Sequence, residues 1–449
     1  MISQEEVLLK IKNDEILNSI KEVFAGKKVW LVGGFIRDLF LGKTSFDRDI
    51  VCLENSRELA QSIAQKLNGS FVELDLENEI YRVVLEDKKT YFDVSLALEN
   101  DIKKDSQRRD FNVNSIFYDF ESEIFLDLRG GILDIENKII STSDLKNLED
   151  DPLRMLRAFR FASILGFKID CEILNFIKEN YKLIKNVAQE RVSYEFLKLF
   201  EGDSFGVAIL DMDECGLLSQ ILPFVDEIKK IPPNTHHHLN LFNHCLESAK
   251  TIRIKNPLLR FATFCHDVGK PQTHTIEPTG RHRFIGHDDV GSKIIKPILA
   301  ELKFSKKQIE YVSKMIKYHI YPSALMADEN VCDNAKIRFI RKLDPHVEDI
   351  LELARADRLC ARGPMVDDEM VEKNLKSLEE LHKFYLEVKP RMIELPKLLD
   401  GNEIMKKFNL KPSPKLGEVL DALKEAQIEG KVSTKEGALE FVANICKDM

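Results

Sequence analysis

The sequence predicts an α+β protein, with a small head of mixed sheet and helices followed by a long all-α remainder. Three observations carry this. Short apolar runs of strand type fall almost entirely before about residue 130. Beyond about residue 140 nearly every apolar segment has helical period. The 449 residues allow two to four domains at about 150 residues each.

In order, "MISQEEVLLKIKNDEILNSIKEVF" has acids early and no basic leader. It reads as one amphipathic helix rather than a signal peptide. "KKVWLVGG" is a buried strand, and "FIRDLFLG" continues as a short helix ending at Gly42. "RDIVCLE" is a second strand. "SRELAQSIAQKL" is a helix with Ser56 as its expected N-cap. "EIYRVVLE" and "TYFDVSLAL" alternate and pair as a hairpin across "EDKK". "DPLRMLRAFRFASILGF", "ERVSYEFLKLF" and "FGVAILDMDECGLLSQIL" are helical by period, and "KKIPPNTHHHLN" is a linker. A further boundary falls near "LEVKPRMIELPKL".

A composition of 44% hydrophobic and 31% charged residues is that of an ordinary soluble protein. No run of about 18 apolar residues marks a membrane span. The eight cysteines are scattered without a CxxC pair, which disfavours a disulfide framework or cysteine zinc site and fits a reducing cytoplasm. The net charge of −9 gives no bulk attraction for a polyanion, so a nucleic-acid partner would need a local basic surface.

The chemistry concentrates first in "LVGGFIRDLFLGKTSFDRDI". Strand residues two apart face one side, so Asp47 and Asp49 present two carboxylates together. Like charges this close call for a cation between them or a retained proton. Backbone N–H groups at Gly33 and Gly34 can cradle a phosphate, and Arg37 adds a bidentate donor. GG alone or DxD alone is common structural furniture. The ordered combination points to a metal–triphosphate site, with Asp47 and Asp49 catalytic in nucleotidyl transfer.

Two further motifs follow, "RRDFNVNSIFYD" and "DDPLRMLRAFRFASILGF". With these the chain resembles the class II tRNA nucleotidyltransferases, the CCA-adding enzymes and bacterial poly(A) polymerases of the polymerase-beta superfamily. The resemblance spans about residues 28–200. It implies a polymerase-beta-like head, then a neck, body and tail. It implies Mg²⁺ on Asp47 and Asp49, ribose recognition by Arg109, Asp110 and Asn114, and base reading by Asp151 and Arg154. The pair also makes chemical sense alone. A carboxylate accepts from the exocyclic amine of C or A, and a guanidinium donates to ring acceptors, an order that G and U do not offer. At i and i+3, Asp151 and Arg154 are expected on one helix face, with Arg157 and Arg160 continuing the row as nucleotide-binding residues. "ERVSYEF" resembles the next family motif and is expected to brace the neck helix. Asp93, on the neighbouring strand, is a candidate third acid.

Downstream, "FNHCLESAK", "FATFCHDVGKP", "FIGHDDVGSKI", "YHIYP" and "ARADRLCARG" combine imidazoles with carboxylates, a donor set for a divalent transition metal. The pattern resembles the HD phosphohydrolase superfamily over about residues 236–365. By that resemblance His244, His266, Asp267 and Asp357 are metal ligands, and His287 and His319 match histidines that hold a second metal in some members. An active phosphohydrolase and a scaffold both remain open for this segment.

The tail resembles a family segment usually written around Pro-Gly-Pro, here Pro412-Ser413-Pro414. Lys406, Lys407, Lys411 and Lys415 gather there as possible tRNA phosphate contacts, or as a solvated face. The expected divisions are a nucleotidyltransferase head (1–140), an RNA-binding neck (141–232), an HD domain (233–385) and a helical tail (386–449). The expected function is template-free addition of CCA to tRNA from CTP and ATP. The connection from "YFDVSLAL" to "RRD" is short for a full CCA-adding enzyme, so CC-only addition stays open. So do poly(A) synthesis and an HD phosphohydrolase with a non-catalytic RNA-binding head.

Overall fold

A computed structural model describes residues 2–447 apart from 235–237, 329, 394–396, 410–413 and 429. His236 and His237 of the linker, and Lys411, Pro412 and Ser413 of the tail turn, lie outside the described residues. The chain divides into two compact units, Met1–Pro223 and Phe224–Met449.

The first unit is built on a seven-stranded mixed sheet. Its strands are β1 (Val29–Val32), β2 (Asp47–Cys52), β3 (Ser70–Asp75), β4 (Ile80–Val84), β5 (Tyr91–Leu96), β6 (Ile116–Asp119) and β7 (Phe125–Asp127). They run in the order β3-β4-β5-β2-β1-β6-β7. The expected β4–β5 hairpin is present and antiparallel. The central β2–β5 pair is parallel, with Asp49 opposite Asp93 and Asp47 opposite Tyr91.

Alternation along β2 sorts its side chains between the two faces. Arg48 is buried, pairs with Asp14 at 2.7 Å, and lies over the Phe35 and Phe92 rings. On the carboxylate face Val51 joins Trp30, Val32, Ala97 and Phe117 in an apolar cluster. The two acids therefore sit where a buried face gives way to the open end of β2.

Three local expectations need correction. The N-terminal segment forms two helices, Gln4–Lys12 and Glu15–Ile20, because the Asp14 side chain accepts from Leu17 N–H and caps a new helix. Ser56 lies inside its helix, whose N-cap is Asn55 in the left-handed conformation; the Ser56 hydroxyl donates to the Glu79 carbonyl instead. Strands do not stop wholly at 140, since Ile139–Ile140 pairs with Lys168–Ile169. After that pair the first unit is helical, with Leu153–Leu165 packed between Gln189–Leu199 and Phe205–Glu214.

Among its described residues the second unit is helical except for a small hairpin, Thr275–Ile276 with His282–Arg283. Its last helices gather around a separate apolar cluster that includes Leu399, Ile404, Val419, Leu423 and Val442. Among the described residues no helix is long and apolar enough to cross a membrane.

Candidate active sites

In the first unit, β1 ends at Val32 and the chain turns through Gly33 into the Gly34–Phe40 helix. Gly33 has φ +85°, and a Cβ there would stand 2.3 Å from Asp49 Oδ2. Only glycine lets the turn pass this close to the carboxylate.

Asp47, Asp49 and Asp93 bring one oxygen each within 4.8 Å of one another. Asp47 Oδ1 is buried without a hydrogen-bond partner. Burial, then the neighbouring Asp47, raises the Asp49 carboxyl to about 7. Burial, then Asp93, raises that of Asp47. A cluster of hard oxygen donors with a surplus of negative charge fits a divalent cation.

Asp49 and Asp93 open onto a cleft of about 330 Å³ that is also lined by Arg109, Asp110, Asp151 and Arg154, together with Arg108, Arg157 and Arg191. Asp151 is not on the helix with Arg154. It is extended (φ −133°, ψ 93°), just ahead of Leu153–Leu165, because Pro152 opens that helix. Its carboxylate accepts from Leu153 N–H at 3.3 Å and pairs with Arg191 at 2.9 Å. Arg154 instead donates to the Asn147 carbonyl at 3.1 Å. Both residues still line the one cleft.

Other expected site residues form a buried polar chain. Arg37 binds Asp38 and, at 2.6 Å, Asn114 Oδ1. Asn114 Nδ2 donates to Asp110 at 3.1 Å, and Asp110 accepts from Arg157 Nε at 2.9 Å. Glu195, from "ERVSYEF", takes Arg160 at 2.7 Å and Arg157 at 3.4 Å. That motif braces the Leu153–Leu165 helix as expected, through a buried carboxylate that its spacing did not single out. Burial would raise Asp110, but Arg157, Asn114 and the Phe111 N–H hold it at about 2. Arg109 is tied to Asp105 at 3.0 Å and lies over Phe117.

In the second unit six ligand-type residues converge from five helical segments. His244 comes from Leu241–Lys250 and Asp357 from Val347–Cys360. His266 and Asp267 follow Pro257–Phe264, His287 opens His287–Glu301, and His319 caps Lys306–Tyr318. The close approach depends on Gly269, where a Cβ would stand 2.1 Å from the His287 carbonyl oxygen.

Three of the imidazoles are held in one way. Nδ1 of His266, His287 and His319 lies 2.7 Å from the carbonyl oxygen three residues earlier, of Thr263, Phe284 and Ile316. A carbonyl can only accept, so Nδ1 carries the proton and the Nε2 lone pair faces the centre. There Asp267 Oδ1 lies 3.3 Å from His287 Nε2 and 3.6 Å from His319 Nε2. Its Oδ2 lies 3.1 Å from His266 and 3.6 Å from His244. Asp357 Oδ1 stands 3.0 Å from His244 and 3.6 Å from His266.

Asp267 groups with His287 and His319, and its other oxygen lies 3.1 Å from His266 of the neighbouring His244–His266–Asp357 group. His266 Nε2 and both Asp267 oxygens are buried without a well-formed hydrogen bond. Acceptor nitrogens and carboxylates turned on one another fit divalent metal ions. Lys270, buried and 2.6 Å from Asp267, was missed from sequence; its place in "HDVGKP" was the available signal. Of the linker histidines, His238 is described and exposed.

Comparisons with known proteins cover both units of the chain. Residues 29–141 match the Poly A polymerase head domain family. Residues 166–229 match the family described as the probable RNA and SrmB-binding site of polymerase A, and 236–362 match the HD domain. The chain is 31% identical over 429 residues to the CC-adding tRNA nucleotidyltransferase of Thermus thermophilus, covering 93% of this chain and 94% of that one. Its fold resembles the Thermotoga maritima CCA-adding enzyme complexed with tRNA, with TM-score 0.62 and 19% identity over 98% of each chain. It is 32% identical over 431 residues to the A-adding tRNA nucleotidyltransferase of Deinococcus radiodurans, covering 92% of this chain and 94% of that one. Likeness at that level, over nearly the whole of both chains, makes this protein a member of the tRNA nucleotidyltransferase family.

Proposed function

We propose that the first unit adds C and A residues to the 3′ end of tRNA from CTP and ATP without a template, completing CCA. The observation that carries this is the shared cleft, where Asp49 and Asp93 of the three-acid group and the Asp151/Arg154 pair face one space. Asp47 and Asp49 are the residues to hold Mg²⁺, with Asp93 beside them. Bound there, Mg²⁺ would lower the pKa of the attacking 3′-hydroxyl and offset charge on the leaving pyrophosphate.

The chain's own groups would orient the nucleotide. Gly33 and Gly34 offer backbone N–H groups to its phosphates, with Arg37 fixed behind them. Arg109, Asp110 and Asn114 take the ribose side, and Asp151 and Arg154 read the base edge. Arg157 and Arg160 hold Asp110 and the reading helix in place through their own ion pairs. The division into head (1–140), neck (141–232), HD domain (233–385) and tail (386–449) follows the same reading. In it the exposed Lys406, Lys407 and Lys415 meet tRNA phosphates and the protein works in the cytoplasm.

In the second unit, His244, His266, Asp267 and Asp357 would hold one divalent transition metal, and Asp267, His287 and His319 a second. Such a centre supplies an activated water for phosphoester hydrolysis.

A second reading of the head is addition of C alone or of A alone. The D. radiodurans and T. thermophilus relatives, matched over nine-tenths of the chain, carry those single-step names. The run from Leu96 to Arg109 is also taken up by the short helix Ile102–Arg108 rather than a long loop.

The test is a tRNA transcript lacking its last three residues, incubated with Mg²⁺ and CTP, ATP or both, followed by sequencing of the 3′ ends. Growth to CCA, lost in Asp47→Ala and kept in His266→Ala, is expected. A stop at CC, or growth only on transcripts already ending in CC, selects the second reading. No extension, with phosphate released from a phosphoester instead, overturns the transferase reading.

A further inference from the structure

Three adjacent strands lay a charged row across the carboxylate face. Arg82 on β4 stands opposite Asp93 on β5, and Asp93 stands opposite Asp49 on β2. The Arg82 guanidinium grips both Asp93 oxygens, Nε to Oδ1 at 2.7 Å and a terminal nitrogen to Oδ2 at 2.6 Å. The same guanidinium lies 4.2 Å from the centroid of the Tyr91 ring. Tyr91 stands directly opposite Asp47 in the parallel β2–β5 register. One arginine therefore grips Asp93 directly and packs on the ring of the residue opposite Asp47.

We propose that Arg82 is a positioning residue of the head metal site, holding Asp93 in the orientation that makes it the third oxygen donor beside Asp47 and Asp49. The inference rests on the nucleotidyl-transfer reading and deepens it. Three carboxylates with oxygens this close repel one another, and an unrestrained Asp93 would rotate away from the other two. A planar guanidinium fixes both of its oxygens in one plane. Each oxygen keeps a second lone pair for a cation. A lysine at the same position would keep the charge and lose the fork, so the two contributions can be separated.

The chain offers its own reporter. Trp30 is the single tryptophan and lies on β1 opposite Val51, two residues along β2 from Asp49. Excited at 295 nm in the full-length protein, it would sensitise the luminescence of Tb³⁺, a hard cation suited to oxygen donors, bound among these acids. Displacement by Mg²⁺ then gives the Mg²⁺ affinity of the head alone.

The expected result is that Arg82→Gln and Arg82→Lys each weaken Tb³⁺ and Mg²⁺ binding by about tenfold, the scale set by residues that orient metal ligands. Asp93→Asn weakens it at least as much. The double variant Arg82→Gln/Asp93→Asn is no weaker than Asp93→Asn, because Arg82 acts through Asp93. In tRNA extension, the Mg²⁺ concentration for half activity rises in the Arg82 variants while KM for CTP holds. Thermal melts check folding, and Arg82→Lys carries the test if Arg82→Gln does not fold. Three results would overturn the proposal: wild-type affinity in Arg82→Lys, losses that add in the double variant, or no sensitised emission from the wild type. Failure of the transferase reading has a different signature, the absence of tRNA extension by wild-type protein whatever the Tb³⁺ cycle gives.

Discussion

The two candidate centres solve one problem, gathering ligands for divalent cations, in opposite ways. In the head, β2 supplies two carboxylates two residues apart, and its parallel neighbour β5 supplies the third in register. The site is laid out by backbone hydrogen bonds, and it opens on a cleft. In the HD centre the ligands come from five helical segments, and His244, His266, Asp267 and His319 are almost wholly buried. Three of its rings are locked by their own backbone carbonyls. A strand-built site is cheap to specify and remains accessible to a large substrate. A helix-built site depends on the packing of a whole domain, and its geometry is correspondingly closed.

The sharpest way to break this contrast is Asp267→Ala. Because the Asp267 oxygens face His244 and His266 on one side and His287 and His319 on the other, its loss should empty the second unit of bound metal, read by elemental analysis of the purified protein. His319→Ala should lose one equivalent only. Equal losses from the two variants would mean a mononuclear centre.

Next in size is Gly33→Ala. The new Cβ falls on Asp49 Oδ2, at a φ that costs a non-glycine residue on the order of 1–3 kcal/mol. Extension should fall by roughly a hundredfold through displacement of Asp49, at the scale of a misplaced reacting group. HD metal content should be unchanged.

Third, Glu195→Gln leaves Arg157 and Arg160 with one counter-charge fewer in a buried setting. Denaturant unfolding of the first unit should lose about 3 kcal/mol, with HD metal content again unchanged.

The smallest effect is in acid. Asp110 is held at about 2, below its unfolded value near 3.9. Its stabilisation is therefore complete above about pH 4 and is lost as pH falls toward 2. It amounts to roughly 2 kcal/mol, and Asp110→Asn should flatten the slope of urea stability between pH 5 and 2.5.

The head was the more legible region because its signal is local. "GG", "DRD" and the strand alternation each lie within a few residues, and the period of two alone places Asp47 and Asp49 together. What the sequence hid there were long-range partners. Arg191 lies forty positions from Asp151, and nothing in the spacing shows that it, rather than Arg154, takes that carboxylate. Pro152 did carry a local warning, since the residue before a proline is driven out of the helical conformation. Arg82 reads as an ordinary polar residue of an alternating strand until β4 and β5 are paired. In the HD region the ligand identities came from resemblance. The place of Asp267 between the two pairs of histidines needed five segments packed around it, and no local pattern encodes that.

Two separate centres, one in each unit, should fail independently. The direct measurement sets Asp49→Asn beside Asp267→Asn in the full chain, scoring tRNA 3′ extension and bound HD metal for each. Asp49→Asn should abolish extension and keep the metal, while Asp267→Asn should lose the metal and keep extension. Loss of both properties in either folded variant would contradict it.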